Sequence, residues 1–156
     1  MKNLTGFVSV AKMGLLTLVL LGAGTHVAQA RDTKHLMPVD AALGSADGQK
    51  ALDGSVAFYF GKTSHPAVAR SLGVYSTNKK TNSFNKSDIE ACNWVFLSAM
   101  ISLQDRAKKE GGDAVINIKS YYKKNEQSHD AEFECYAGSF VTGVALQGEV
   151  VKLAKC

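Results

Sequence analysis

The sequence predicts an α+β fold: one long helix packed on a mainly antiparallel sheet of four to five strands, ordered strand, strand, helix, strand, strand, with a short N-terminal helix ahead of them. Three observations predict it. Residues 88–110 carry one apolar stripe with a start signal and a stop signal at its ends. Short apolar or alternating runs flank that stretch on both sides. Breaks rich in Gly, Asn and Lys separate the runs. The 156 residues are 46% hydrophobic and 21% charged, which suits one domain with an appendage and excludes a disordered chain.

Val39 to Leu52 has helical composition but is interrupted by Gly44 and Gly48, each costing about 1 kcal/mol against Ala. Val56-Ala57-Phe58-Tyr59-Phe60, ended by Gly61, reads as a strand, and Ser64-His65-Pro66 as a turn. Arg70 to Thr77 reads as a second strand. Asn78 to Lys86 holds three Asn and three Lys and is expected to be a mobile polar loop.

The long helix runs from Asp88 to Glu110. Ser87 with Glu90 three residues later forms a capping box. Ile89, Cys92, Phe96, Ala99, Leu103 and Ala107 recur at three- and four-residue steps and mark the buried face. Lys108 and Lys109 suit the negative end of the helix dipole, and Gly111 suits a left-handed cap. Trp94 is assigned to core packing near the apolar face.

A hairpin is expected next. Ala114, Ile116 and Ile118 alternate with Val115, Asn117 and Lys119. Phe133, Cys135 and Ala137 alternate with Glu132, Glu134 and Tyr136. Pairing Ile118 with Cys135 inside would set Lys119 against Glu134 outside. Phe140 to Leu146 and Glu149 to Leu153 extend the sheet, with Gly138, Gly143 and Gly148 as bends or bulges.

Ahead of all this, residues 1–30 have the form of a secretory signal. Lys2 and Lys12 precede the apolar run Met13 to Ala23, and Ala28-Gln29-Ala30 supplies the small-x-small cleavage pattern. Cleavage after Ala30 would leave an N-terminal appendage, residues 31–55, and an α+β domain, residues 56–156. Removing Lys2 and Lys12 takes Lys+Arg from 18 to 16 against 14 Asp+Glu, a mature charge of +2. This weak balance argues for neither nucleic acid nor an anionic membrane as partner. Export implies an oxidising compartment, periplasmic or secreted.

In that compartment the cysteines matter. Cys92 lies on the helix's apolar stripe and Cys135 on the inward face of a strand, so two independent periodicities point both thiols into one core. A Cys92–Cys135 disulfide is expected, with Cys135–Cys156 as the rival pairing and two buried free thiols as the plainer reading.

Other motifs carry less. Gly61-Lys62-Thr63 lacks the Gly five residues earlier that a P-loop needs; Val56 stands there. His35, His65 and His129 are scattered in expected loops. His129 with Asp130, Glu132 and Glu134 could gather around a metal, although a solvated loop and strand face is the simpler account. No G-x-S-x-G elbow occurs, and no cofactor or catalytic residue is implied. Lys79, Lys80 and Lys86, and Lys119, Lys123 and Lys124 beside Tyr121 and Tyr122, read as solvated surface and not as a nucleic-acid face.

Ser71-Leu72-Gly73-Val74-Tyr75-Ser76, the long helix, Gly111-Gly112-Asp113-Ala114-Val115-Ile116-Asn117-Ile118, and Tyr136-Ala137-Gly138-Ser139 through Ala145-Leu146 resemble the YbjQ-type and RcsF-type superfamily. The resemblance spans roughly residues 56–146. It implies an α+β fold, and either heavy-metal binding, as the first group is described, or envelope-stress sensing by disulfide-stapled lipoproteins, as in the second. The chain departs from the second group in having no lipidation Cys, and only Cys135 matches its cysteine-in-strand position. Ring formation in the first group makes a homo-oligomer compatible with the resemblance. Chains of this exported kind also resemble proteins called an excinuclease ATPase subunit, a name that the missing P-loop leaves without physical basis. The expectation is an exported, non-enzymatic binding or sensory module of the bacterial cell envelope, acting on an envelope protein or small ligand, with no membrane span after cleavage. The alternative is a periplasmic heavy-metal-binding protein.

Overall fold

The computed structural model describes residues 30–155. The expected signal segment up to Gln29, including Ala28 of the cleavage pattern, lies outside the described residues, as does Cys156. The elements are β1 (Thr33–Pro38), α1 (Val39–Gly44), α2 (Ala46–Ala51), β2 (Ala57–Phe60), β3 (Val68–Asn82), α3 (Asp88–Glu110), β4 (Ala114–Ser120), β5 (Glu132–Ala137) and β6 (Val141–Leu153), with a single 3-10 turn at Tyr122–Lys124. This is an α+β fold in which one long helix packs on a mixed, largely antiparallel sheet of six strands. Among the described residues no helix is long and apolar enough to cross a membrane.

The sheet is organised around β6. Its whole length pairs with β3, from Asn82 opposite Val141 to Val68 opposite Leu153. On its other edge two shorter strands pair in series. β5 takes the start, with Ala137 opposite Thr142, and β4 takes the end, with Ala114 opposite Val151. β1 then adds outside β5, antiparallel, and β2 outside β4, parallel.

α3 forms as its sequence directs. The Ser87 hydroxyl accepts from the Glu90 backbone N–H at 3.1 Å, and Gly111 closes the helix at φ 78°. Cys92, Val95, Phe96, Ala99, Met100, Leu103 and Ala107 are buried against the sheet. Phe96 lies flat on Phe133, ring centroids 3.8 Å apart. Ile89, in the first turn, stays exposed and outside that stripe.

Several expectations need correction. The expected β4–β5 hairpin does not form, because both strands pair with β6 and not with each other; Ile118 is not opposite Cys135, nor Lys119 opposite Glu134. The alternation of β4 breaks at Asn117, which sits at φ 51° where the register shifts between Ile116 and Lys119. A bulge changes which side chains face inward. Val115 and Ile118 therefore face α3, while Ala114 and Ile116 pack with Val151 on the other face.

The expected strands Phe140–Leu146 and Glu149–Leu153 are one continuous β6. Gly148 is no bend there: a Cβ would come within 2.5 Å of Val115 Cγ1, so the position serves close approach. The Val39–Leu52 helix is two short helices divided at Ser45, whose extended backbone and hydroxyl cap α2 through Gly48 N at 3.0 Å. Residues 33–38, for which no strand was expected, form the sheet edge β1.

The expected loop Asn78–Lys86 is strand as far as Asn82. Continuous pairing with β6 overrides the weak strand preference of Asn and Lys. Lys80 is exposed there and Lys79 half-buried. Replacing Lys79 or Lys80 by Ala is expected to shift unfolding free energy by no more than about 0.5 kcal/mol each, as for most surface substitutions. Urea denaturation checks this; a loss several times larger would mean that the lysine stems pack against the strand end.

Candidate functional site

Two surfaces combine shape with chemistry. The first is a groove between α2 and the outer face of α3. A cavity of about 500 Å³ is lined by Ser45, Asp47, Lys86, Glu90, Asn93, Trp94 and Leu97. A second, of about 270 Å³, shares Asp47, Trp94 and Leu97 with it and continues to Ser98 and Ile101. Trp94 forms the shared wall and is 59% exposed. Its assignment to the core is corrected here. Two residues beyond Cys92 place it about 200° round the helix, on the face away from the sheet. The groove offers an indole and aliphatic side chains rimmed by Asp47, Glu90, Lys50 and Lys86. Such a surface suits an amphipathic ligand or segment.

The second surface is a polar cluster around Glu134, on the sheet face opposite α3. Glu134 was expected to point outward into solvent, yet it is 1% exposed. Lys34 Nζ donates to it at 2.9 Å, Ser120 Oγ at 3.0 Å and Tyr136 OH at 2.9 Å, with His129 Nε2 at 3.4 Å. Tyr122 and Tyr136 stack over the cluster, centroids 3.6 Å apart. Tyr122 OH reaches Asp32 at 3.1 Å, and Lys123 pairs with the same carboxylate. Strand alternation did place Glu134 on the outer face. What buries it is β1, which carries Lys34 alongside, and the turn that brings Tyr122 back.

The electrostatics follow. Desolvation pushes the Glu134 carboxyl up, but hydrogen bonds from Lys34, Tyr136, Ser120 and His129 outweigh it and hold the pKa below the ordinary value. The Tyr136 phenol moves the other way, to about 12, through desolvation and its hydrogen bond to the Glu134 anion. Tyr122 is also raised, by desolvation and by Asp32. A carboxylate satisfied by this many donors is a fixed negative charge that holds its neighbours in place.

The residues singled out from sequence separate. Cys92 and Cys135 are joined by a disulfide with Cα atoms 5.8 Å apart, both fully buried. His129 turns to Glu134, while Asp130 Oδ1 accepts from the Lys62 backbone N–H at 2.7 Å, and Glu132 is exposed on β5. Among the described residues, no group of three or more His, Cys, Asp or Glu side chains is placed to hold a metal ion. His35 is on β1, not in a loop, and pairs with Asp88 at 2.9 Å. His65 does lie in a loop, beside Tyr59. Gly61-Lys62-Thr63 wraps around Asp130 instead of leading into a helix. The second basic cluster is divided between carboxylates, Lys119 with Glu126 and Lys123 with Asp32.

Sequence reasoning singled out Glu134 beside His129, but missed its burial and the Trp94 groove. The helical angle of Trp94 could have revealed the groove. Nothing local announces the burial of Glu134, since Lys34 and Ser120 reach it from β1 and β4. No protein-family model, curated protein or solved structure matches this chain.

Proposed function

We propose that this protein is an exported, non-enzymatic binding or sensory module of the bacterial cell envelope. The observation that carries the reading is the Cys92–Cys135 disulfide, buried in the core between α3 and β5. Structural disulfides form and persist in oxidising compartments and are rare in the cytosol. The apolar run Met13 to Ala23 and the Ala28-Gln29-Ala30 pattern supply an export address in keeping with it. The Trp94 groove supplies a surface on which an amphipathic partner or ligand would sit. The resemblance of residues 56–146 to envelope sensors supports the same reading.

Intact mass of the protein recovered from the envelope fraction, without reductant, tests it. The expected product begins at Arg31 and is two hydrogens lighter than its reduced form. A chain retaining Met1 to Ala30, or one found in the cytosol with Cys92 and Cys135 as free thiols, would overturn the proposal.

A further inference from the structure

The two cavities of the groove between α2 and α3, about 500 and 270 Å³, meet at Trp94. The apolar surface open to solvent there comes mainly from that one side chain. Trp94 is 59% exposed, whereas Leu97 is 6% exposed and Ile101 half-buried. Among the described residues no other aromatic ring and no cation of the fold stacks on the indole. Glu90 lies four residues before Trp94 and so shares its side of α3, Asn93 is its neighbour, and Asp47 comes from α2. The other polar groups of the wall are already engaged. Ser45 Oγ donates to Ala42 O and accepts from Gly48 N, and Lys86 Nζ donates to Asn82 O at 2.9 Å. Among the described residues the side chains of Asp47, Glu90 and Asn93 make no hydrogen bond or ion pair within the fold, and all three line the larger cavity.

This composition selects among occupants. Asp47 and Glu90 balance Lys50 and Lys86, so the groove has no net charge and favours neither an anion nor a cation. An amphipathic helix or an acyl chain needs a row of open apolar contacts, and Leu97 and Ile101 are already largely covered. What fits is a ligand with one flat apolar face and hydroxyls around its edge. The C–H face of a pyranose ring covers an indole. Its neighbouring hydroxyls match a carboxylate, which accepts two of them at once, and a primary amide, which both accepts and donates. The second cavity continues past Trp94 along α3 to Ser98 and Ile101, which gives room for a following ring.

We propose that this groove binds a short, uncharged oligosaccharide, with one sugar ring stacked on Trp94 and its hydroxyls shared among Glu90, Asn93 and Asp47. The proposal names a ligand class for the binding module above and rests on that reading's choice of the Trp94 groove as the binding surface. It does not rest on export, because saccharide binding is read on the folded chain in solution.

The chain holds a single tryptophan, so its emission reports on this groove alone. The protein as recovered from cells is titrated with maltotriose, cellotriose and tri-N-acetylchitotriose, and with choline as a cationic probe. The emission should shift to the blue and saturate with at least one trisaccharide, with a dissociation constant on the order of 1 mM or tighter. Which trisaccharide binds tells an α-glucan, a β-glucan and an amino-sugar polymer apart as the source. By calorimetry, Trp94→Ala should abolish binding, and Glu90→Gln with Asn93→Ala should weaken it by about tenfold or more. Unchanged melting temperatures verify that the variants fold. No emission shift with any of the three sugars, or sugar binding that survives Trp94→Ala, overturns the proposal. So does a response to choline alone, since the carboxylates would then select a cation, and so does a shift that follows protein concentration without sugar, since the occupant would then be a second copy of the chain. Any of these results leaves the intact-mass test of export standing, and a cytosolic, reduced chain that still bound sugar would overturn export alone.

Discussion

Replacing Cys92 by Ser is expected to lower the unfolding free energy by about 4–6 kcal/mol. The crosslink spans 43 residues, for which the chain-entropy relation gives about 4 kcal/mol. The remainder is the cost of a hydroxyl left at a fully buried position and of Cys135 left as a free thiol beneath α3. Single domains are stable by about 5–15 kcal/mol, so the variant should sit near its folding limit at moderate temperature. The bond joins α3 to β5, which itself pairs with β6 only at Tyr136 and Ala137. Losing it should therefore loosen β5 and β1 before the β3–β6 ribbon, and hydrogen exchange should show that order. Urea denaturation of Cys92→Ser beside Cys92→Ala/Cys135→Ala separates the terms. The double variant should lose the crosslink without the buried hydroxyl and fall nearer the lower bound. If Cys92→Ser unfolded within about 1 kcal/mol of the parent, the crosslink would not constrain the unfolded chain as this relation assumes.

That bond was legible in the sequence because each cysteine was placed by its own period. Cys92 is fixed by the α3 stripe, and Cys135 by the alternation Phe133, Cys135, Ala137. The same local logic gave α3 its ends, through Ser87, Glu90 and Gly111. It failed where a fact depends on which strands meet. Nothing in Ala114–Lys119 or Glu132–Ala137 says that both lie along β6, because a 13-residue strand has room for two neighbours in series on one edge. Nothing in Asn117 announces a bulge, since Asn reaches a positive φ at little cost and looks like any outward polar residue. Asn78 to Asn82 became strand because β6 was there to pair with. The fold class needed only periods and caps. The Glu134 cluster needed the assembled neighbourhood of β1, β4 and the Tyr122 turn, which no single window contains.

Replacing Glu134 by Ala is expected to cost about 3 kcal/mol near neutral pH, the lower part of the range for breaking a buried ion pair. The lower part applies because Lys34 is half exposed and regains water, whereas Ser120 is buried and loses its partner. Glu134→Gln should cost less, since its amide oxygen still accepts from Ser120 or Tyr136. The pH dependence carries the sharper test. The folded-state pKa of Glu134 lies below its ordinary value of 4.5, so the unfolded chain takes up the proton first on acidification. Its contribution is fully present above 4.5 and is lost as pH falls through the folded-state value. The gap between parent and Glu134→Gln should thus be constant from neutral pH down to about 5 and should close below that, because Gln does not titrate. Asp53, Asp88 and Asp113 are also held low, by Lys108, by Arg31 and by the Leu153 backbone N–H respectively, and they steepen the acid limb in both proteins. Their carboxylates are more open to solvent, so salt should flatten their share and leave the Glu134 difference nearly intact. A gap that persisted at low pH would mean that it comes from the Gln amide facing the donors around this position, and not from the lost charge. The stacked Tyr122 and Tyr136 would then be the feature that holds β5 against the turn.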